Sequence, residues 1–139
     1  MSPRAALIPG IVSATSEGDL QSQVLAYLAL LPGVVFRRTN SGLARSLSGN
    51  RIIRLAPLGT PDITGHMPDG RALYIELKDP KAHRPVAPKT EKGKRDLLTW
   101  QEQEKFIAAA AAAGCVAFRA SSLQEVADRL VAEIERGRR

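Results

Sequence analysis

The chain has 139 residues, of which 44% are apolar and 24% are charged, and its formal net charge is +6. This length fits one compact domain, and the positive charge favours a polyanionic partner. Cys115 is the only cysteine, which excludes an intrachain disulfide and, with two distant histidines, a zinc site. Aromatic residues make up only 4% of the chain, which argues against a base-stacking platform for single-stranded nucleic acid.

The N-terminal part of the sequence predicts a flexible lead-in over residues 1–15 and then an amphipathic helix. Ser16 is the predicted N-cap of this helix. Apolar residues recur at helical spacing between positions 20 and 31, and Pro32-Gly33 is predicted to end the helix.

The middle of the sequence carries short apolar runs separated by turn residues, a pattern typical of strands. Asn40-Ser41-Gly42 predicts a turn and residues 43–50 a loop. Asp69-Gly70 predicts a hairpin turn, so the strands on either side of it are expected to be antiparallel neighbours. The predicted strands are 34–37, 51–55, 62–64 and 72–78.

The C-terminal half begins with residues 79–96, whose three prolines and many charges predict a mobile loop. An alanine-rich helix is expected over about 99–113, followed by a buried strand at 115–118. Ser121 or Ser122 is the predicted N-cap of a last helix.

The order of the predicted elements is helix, three or four strands, helix, strand and helix. This order predicts an α/β fold with a mixed sheet, which the strand after the long helix joins in parallel. We expect one domain over residues 16–135 and a basic tail, residues 136–139, that frays. No apolar segment approaches the ~18–20 residues that span a bilayer, and no signal-peptide pattern is evident, so the cytoplasm is the expected compartment.

The most informative motif is Gly59-Thr60-Pro61-Asp62-Ile63, followed after the hairpin turn by Ile75-Glu76-Leu77-Lys78. The hairpin folds the chain back, so the carboxylates of Asp62 and Glu76 can converge on one point. Mg²⁺ prefers hard oxygen ligands, usually one or two carboxylates with water and a phosphate. The pattern predicts a divalent metal site for phosphodiester hydrolysis.

Lys78 lies two positions after Glu76 and is expected on the same side of the strand. Its ammonium group could stabilise developing negative charge or help to position the nucleophile. An ordinary ion pair of Glu76 and Lys78 on a solvated strand is the alternative, but the preceding Gly-Thr-Pro-Asp segment favours a site.

Two further polar residues lie on apolar helix faces. Glu17 extends the stripe of Leu20 and Val24 towards the sheet, and it is read either as a supporting acid or as a first-turn acid favoured by the helix dipole. Gln103 shares a face with Phe106 and could orient Lys78 or a phosphate, or simply bond to the backbone.

These motifs together resemble the VRR-NUC domain, a compact branch of the PD-(D/E)XK nuclease superfamily. The resemblance covers about residues 16–130. The segments that carry it, besides the two around Asp62 and Glu76, are Glu17-Gly18-Asp19-Leu20-Gln21, Phe36-Arg37-Arg38-Thr39-Asn40-Ser41-Gly42, Gln103-Glu104-Lys105-Phe106 and Gly114.

The resemblance implies a restriction-endonuclease-like α-β-β-β-α-β core and cleavage of DNA with Mg²⁺ or Mn²⁺. It makes Asp62 and Glu76 metal ligands, with the backbone carbonyl of Leu77 as a third. It makes Lys78, Glu17 and Gln103 catalytic. Gln101 lies close to Gln103 in the sequence, and Trp100 stands three places before Gln103, where the family often has a small residue. Stand-alone members resemble virus-encoded homodimers that act on branched DNA, which would place this chain in a host cytoplasm.

The remaining basic residues flank the predicted site, where they are expected to grip DNA phosphates largely without sequence preference. A solvated basic loop is the alternative for any one of them. The predicted DNA contacts are Arg37, Arg38, Arg45, Arg51, Arg54, Lys81, Arg84, Lys89, Lys92, Lys94 and Arg95.

The leading prediction is therefore a metal-dependent, structure-selective DNA endonuclease. A non-catalytic DNA-binding module on the same fold would also explain the positive charge. A small unit that docks onto a larger repair or packaging machine is the third possibility.

Overall fold

The structure is a computed structural model that describes residue 14 and residues 16–39, 43–54 and 56–138, with the backbone alone for 43–45 and 54. The turn predicted at 40–42, all of the predicted lead-in except Ala14, and Arg139 lie outside the described residues. Ala14 packs against the hydrophobic core. The elements are α1 (Glu17–Leu28), β1 (Val35–Arg38), β2 (Leu43–Arg45), β3 (Ile52–Arg54), β4 (Ile63–His66), β5 (Ala72–Leu77), α2 (Glu91–Ala112), β6 (Val116–Ala120) and α3 (Leu123–Gly137).

The main sheet has four strands in the order β1-β4-β5-β6, and β2 and β3 form a separate two-stranded ribbon. β4 is antiparallel to both β1 and β5, whereas β6 runs parallel to β5. The predicted antiparallel hairpin and the predicted parallel crossover are therefore both confirmed. The fold belongs to the α/β class, with a mixed sheet flanked by helices.

The two faces of the sheet differ in chemistry because side chains alternate along β5. Leu73, Ile75 and Leu77 are fully buried in the core that the sheet forms with α1 and α3. Tyr74 and Glu76 point to the other face, which α2 covers: the Tyr74 ring meets an α2 phenylalanine edge-on with centroids 5.0 Å apart.

Helix α1 forms where the sequence predicts it. The Ser16 side chain accepts a hydrogen bond from the Asp19 N–H at 3.1 Å, which caps the first turn. Leu20, Val24 and Leu28 are fully buried on its inner face. The helix ends at Leu28, before the predicted Pro32-Gly33 stop, and the chain turns through residues 29–33.

Two loop predictions in the middle of the chain are wrong. Part of the predicted loop at 43–50 is strand β2, which pairs with β3. Helix α2 begins at Glu91, after its N-cap Thr90, and so occupies residues 91–96 of the predicted loop and precedes the predicted start at 99. Its first turns lack apolar periodicity and are stabilised instead by capping and by ion pairs within the helix.

The C-terminal elements extend further than predicted. Strand β6 is Val116–Ala120, and Cys115 precedes it as a half-buried free thiol rather than lying inside it. Ser122 caps α3, which continues through Gly137, so the prediction of a frayed tail is wrong for residues 136 and 137. Ion pairs along the last turns, including Arg138 with Glu135 at 3.1 Å, account for this extension. Across the helices that the structure describes, none combines the length and apolar character required to cross a membrane.

Candidate active site

Asp62 and Glu76 lie on the same side of the sheet. Ile63 pairs with Ile75, so one step further along the ladder Asp62 is opposite Glu76. Asp62 Oδ2 also accepts a hydrogen bond from the backbone N–H of Leu77 at 2.8 Å, which fixes the carboxylate against β5. The convergence expected from the hairpin is therefore present.

The segment before Asp62 is held close to α2. The Thr60 hydroxyl donates to the Pro57 carbonyl at 2.6 Å, which tightens the turn. Gly59 has φ +89°, and a side chain there would place Cβ 2.8 Å from the Glu102 carbonyl of α2. Glycine thus meets both the backbone conformation and the close approach that deliver Asp62 to the site.

Glu76 is the most unusual residue of the site. Its side chain is 3% exposed, and its Oε2 atom is buried without a hydrogen-bond partner. Burial, followed by the nearby charge of Asp62, raises the pKa of Glu76 to about 8. Burial is also the largest cause of the raised pKa of Asp62, which hydrogen bonds from Leu77 and Glu76 oppose. Two desolvated carboxyls therefore face each other. When both are ionised, Glu76 Oε2 has no hydrogen-bond donor, and a proton on Glu76 lets it bond to Asp62 instead.

Gln103 bridges Glu76 and Lys78. Its Nε2 donates to Glu76 Oε1 at 2.8 Å, and its Oε1 accepts from Lys78 Nζ at 2.7 Å. Lys78 Nζ also lies 3.5 Å from Glu76 Oε1. Gln103 is the only residue of α2 that is buried, so Gln103 rather than Gln101 occupies the site.

Trp100 and Arg119 complete the wall of the site, and the sequence did not indicate a role for either. Lys78 Nζ is 4.6 Å from the Trp100 ring centroid, and Arg119 Cζ is 4.4 Å from it. Arg119 is the Cα partner of Glu76 across the β5–β6 ladder. The sequence signal for Arg119 is that it is the single charged residue of an otherwise apolar strand. The predicted strand ended at residue 118, so Arg119 fell just outside it.

Glu17 lies at the rim of the site, on the first turn of α1. Its side chain is exposed, yet its pKa is raised by partial desolvation and then by the charge of Asp62, with Lys78 opposing and Asp79 adding to the rise. Because the charges that act on Glu17 include those of Asp62 and Lys78, Glu17 lies near the predicted site. The position agrees with a supporting acid and also with a first-turn acid, so its catalytic role stays a prediction.

A divalent cation fits the residues present. When Glu76 is ionised its buried Oε2 has no hydrogen-bond donor, although Oε1 contacts Gln103 and Lys78, and the opposed Asp62 supplies a second hard oxygen donor. In the part of the chain that the structure describes, no three or more acidic, histidine or cysteine side chains group as a metal site. The donor set is therefore a pair of carboxylates, which is the usual protein contribution to a Mg²⁺ site.

The basic residues of the predicted DNA surface fall into two groups. Arg37 and Arg38 are exposed on β1, and the charge of Arg38 acts on Asp62. Arg51 is exposed beside β3, whereas Arg45 and Arg54 have side chains outside the described part. The ribbon that carries these three arginines is inserted between Thr39 and Asp62, whose backbones are joined by a 2.7 Å hydrogen bond.

The second group follows Lys78. Lys81 and Lys89 are exposed in the loop before α2, and Arg95 is exposed on α2. The other three form ion pairs with acids of α2: Arg84 with Glu104 at 2.8 Å, Lys92 with Asp96 at 2.8 Å, and Lys94 with Glu91 at 3.5 Å. Because exposed pairs of this kind are weak, they leave these cations available to a phosphate.

Comparison with protein-family models gave no match, and neither curated proteins nor solved structures gave one. The resemblance to VRR-NUC nucleases therefore depends on the sequence motifs alone.

Proposed function

We propose that this protein is a divalent-metal-dependent DNA endonuclease of the VRR-NUC type, with the restriction-endonuclease-like core of the PD-(D/E)XK superfamily. The observation that carries the proposal is the buried, unpartnered oxygen of Glu76 opposite Asp62. Next to this pair, the amide of Gln103 holds the Lys78 ammonium group at 2.7 Å. A buried polar cluster with one unsatisfied oxygen is costly for folding, and such a cost is typical of a site kept for function.

Mg²⁺ or Mn²⁺ would be held by the carboxylates of Asp62 and Glu76 and by the Leu77 carbonyl. When bound, such a cation polarises the scissile phosphate and lowers the pKa of a bound water. The protein's own contribution is orientation: the Leu77 N–H fixes Asp62, and the Gln103 amide fixes Glu76.

Lys78 would stabilise the negative charge that develops on the phosphate. Because its ammonium group is bonded to Gln103 and is also near Glu76, it is held in one place before substrate arrives. Such preorganised charge is worth most at a partly buried position, where water screens it least. Glu17, at the rim, would assist as a supporting acid.

The substrate we propose is DNA, with branched or junction structures preferred and a homodimer as the working form. The net charge of +6 and the arginines of β1 and the β2–β3 ribbon support a phosphate-rich partner. The preference for branched DNA and the dimer follow from the family resemblance, as does a host cytoplasm as its compartment.

The decisive experiment is cleavage of labelled branched, flapped and linear DNA with Mn²⁺, Mg²⁺ or EDTA. We expect cleavage with either metal and none with EDTA. Asp62→Asn and Lys78→Gln should each lower the rate at least about a hundredfold, since each removes a group that acts on the transition state. Glu91→Gln, which alters an exposed acid at the start of α2, about three turns before Gln103, serves as the matched control and should cleave like the wild type.

A non-catalytic DNA-binding module predicts a different result. Such a protein would bind DNA, cleave none of the substrates with any metal, and give no heat on titration with Mn²⁺. Absence of cleavage together with absence of Mn²⁺ binding would refute the nuclease proposal.

A further inference from the structure

Arg119 is a half-buried cation beside the proposed active site, and no acidic side chain among the described residues pairs with it. It lies on β6 as the Cα partner of Glu76, on the face that α2 covers. Its Nε is buried and makes no hydrogen bond, and no ion pair or hydrogen bond between described residues involves its guanidinium group. This half-buried charge has no acidic counterion in the described part of the chain, which favours a bound anion reached through the terminal N–H groups of the guanidinium.

Trp100 is the surface on which this arginine rests. The guanidinium carbon of Arg119 is 4.4 Å from the ring centroid, and the ammonium nitrogen of Lys78 is 4.6 Å from the same centroid. One ring therefore carries two cations, whose separation cannot exceed the sum of those distances. The buried indole N–H makes no hydrogen bond to a described residue, and the ring contacts both cations.

The two cations differ in how much of their hydrogen-bonding capacity remains for a ligand. Lys78 already bonds to Gln103 and lies close to Glu76, so much of its capacity is taken up within the site. No described residue accepts a hydrogen bond from Arg119, and its terminal N–H groups form a planar fork that matches two phosphate oxygens. Two cations within the reach of one ring also raise the local positive potential, which favours an anion beside them.

We propose that Arg119 is a phosphate-binding residue of the DNA site, and that Trp100 is the positioning residue that holds it. The phosphate it takes is one that neighbours the phosphate at Asp62, Glu76 and Lys78. This inference depends on the proposed function for the identity of the ligand, DNA. It adds a contact that no motif of the sequence assigned.

The test is metal-free DNA binding, measured by fluorescence anisotropy of a labelled duplex in EDTA over a range of NaCl concentrations. Arg119→Gln should weaken binding roughly tenfold, the size of one lost charge-assisted contact. It should also reduce the slope of log affinity against log salt by about one. Arg138→Gln removes the same charge at the far end of α3 and is the matched control, with an unchanged slope.

The role of Trp100 is tested by a double-mutant cycle. Trp100→Leu should remove most of the benefit of Arg119, so that Arg119→Gln in that background changes affinity by less than about twofold. Trp100→Phe keeps an aromatic face and should restore the dependence on Arg119. Arg119→Lys should keep the salt slope but recover only part of the affinity, which also guards against a variant that merely misfolds.

The outcomes separate this inference from the nuclease proposal. Arg119-dependent binding by a protein that never cleaves would support the inference and refute the nuclease. Conversely, if the wild type cleaves DNA while Arg119→Gln and Arg138→Gln bind alike with equal slopes, Arg119 is a packing residue and the inference is wrong. Failure of the wild type to bind DNA at low salt would also overturn it.

Discussion

The strongest quantitative prediction concerns the stability of the metal-free protein when Glu76 is changed to glutamine. The pKa of Glu76 is raised to about 8 in the folded protein, from 4.5 for an ordinary glutamate. Between these two values the folded state holds a proton that the unfolded state has lost. The free energy of unfolding of the wild type should therefore fall as pH rises through this window.

The size of this fall follows from linkage. Each pH unit between 4.5 and about 8 costs at most about 1.4 kcal/mol, for a total on the order of 4 kcal/mol. Because Asp62 is coupled to Glu76 and also titrates, roughly 2–4 kcal/mol is the range we expect. Glu76→Gln cannot ionise, and it keeps an oxygen that can accept from Gln103. It should therefore be more stable than the wild type by this amount near pH 8, and nearly equal to it near pH 4.5.

Urea denaturation in EDTA at several values between about pH 4.5 and pH 9 measures this difference. Glu91→Gln, whose side chain is 81% exposed, is the control: loss of its ion pair with Lys94 should lower stability by at most about 0.5 kcal/mol, and the fall between about pH 4.5 and pH 8 should match that of the wild type. Adding Mn²⁺ near pH 8 should raise the stability of the wild type but not of Glu76→Gln, because the metal binds only the folded carboxylate pair. A wild type whose stability, relative to Glu76→Gln, stays constant or rises towards pH 8 would refute the reasoning.

Three further predictions address the support of the site and the fold. Gln103→Leu should lower the single-turnover cleavage rate at least about tenfold, because Lys78 loses its 2.7 Å bond. Gly65→Ala should destabilise the protein by about 3 kcal/mol in urea, because its Cβ would lie 2.8 Å from Phe36 Cα on β1. Arg71→Met should cost about 2–3 kcal/mol at neutral pH, because it leaves a glutamate of α3 without the 2.7 Å bond.

Arg71 pairs with Glu133 of α3, so the effect of Arg71→Met depends on pH. Burial acts to raise the pKa of Glu133, but hydrogen bonds from Arg71 and nearby arginine charges outweigh burial and lower this pKa. Its stabilising effect is present above the ordinary glutamate pKa and is lost as pH falls through the lowered folded value. The difference between Arg71→Met and the wild type should therefore shrink in acid. Equal stability at neutral pH would contradict this role for Arg71, and Gln103→Leu cleaving at the wild-type rate would contradict the role given to Gln103.

Local sequence was sufficient wherever neighbours along the chain set the structure. Ser16 and the apolar spacing after it determined α1, because caps and a 3.6-residue period act within a few turns. The Asp69-Gly70 turn set the register of β4 against β5, and so brought Asp62 opposite Glu76. The sequence pattern did not predict the first helical turns of α2, because their residues are polar and show no apolar period. A cap and ion pairs, rather than burial, stabilise these turns.

The sequence by itself therefore determined the two acids, the lysine beside them and the α/β order of elements. Tertiary structure alone decided that Gln103 rather than Gln101 joins Glu76 to Lys78, and that Arg119 shares one indole ring with that lysine. The physical reason is that β6 pairs with β5 in parallel although the whole of α2 separates these two strands along the chain. No local turn fixes such a register, so it is set by the packing of distant apolar side chains, which no short stretch of sequence encodes.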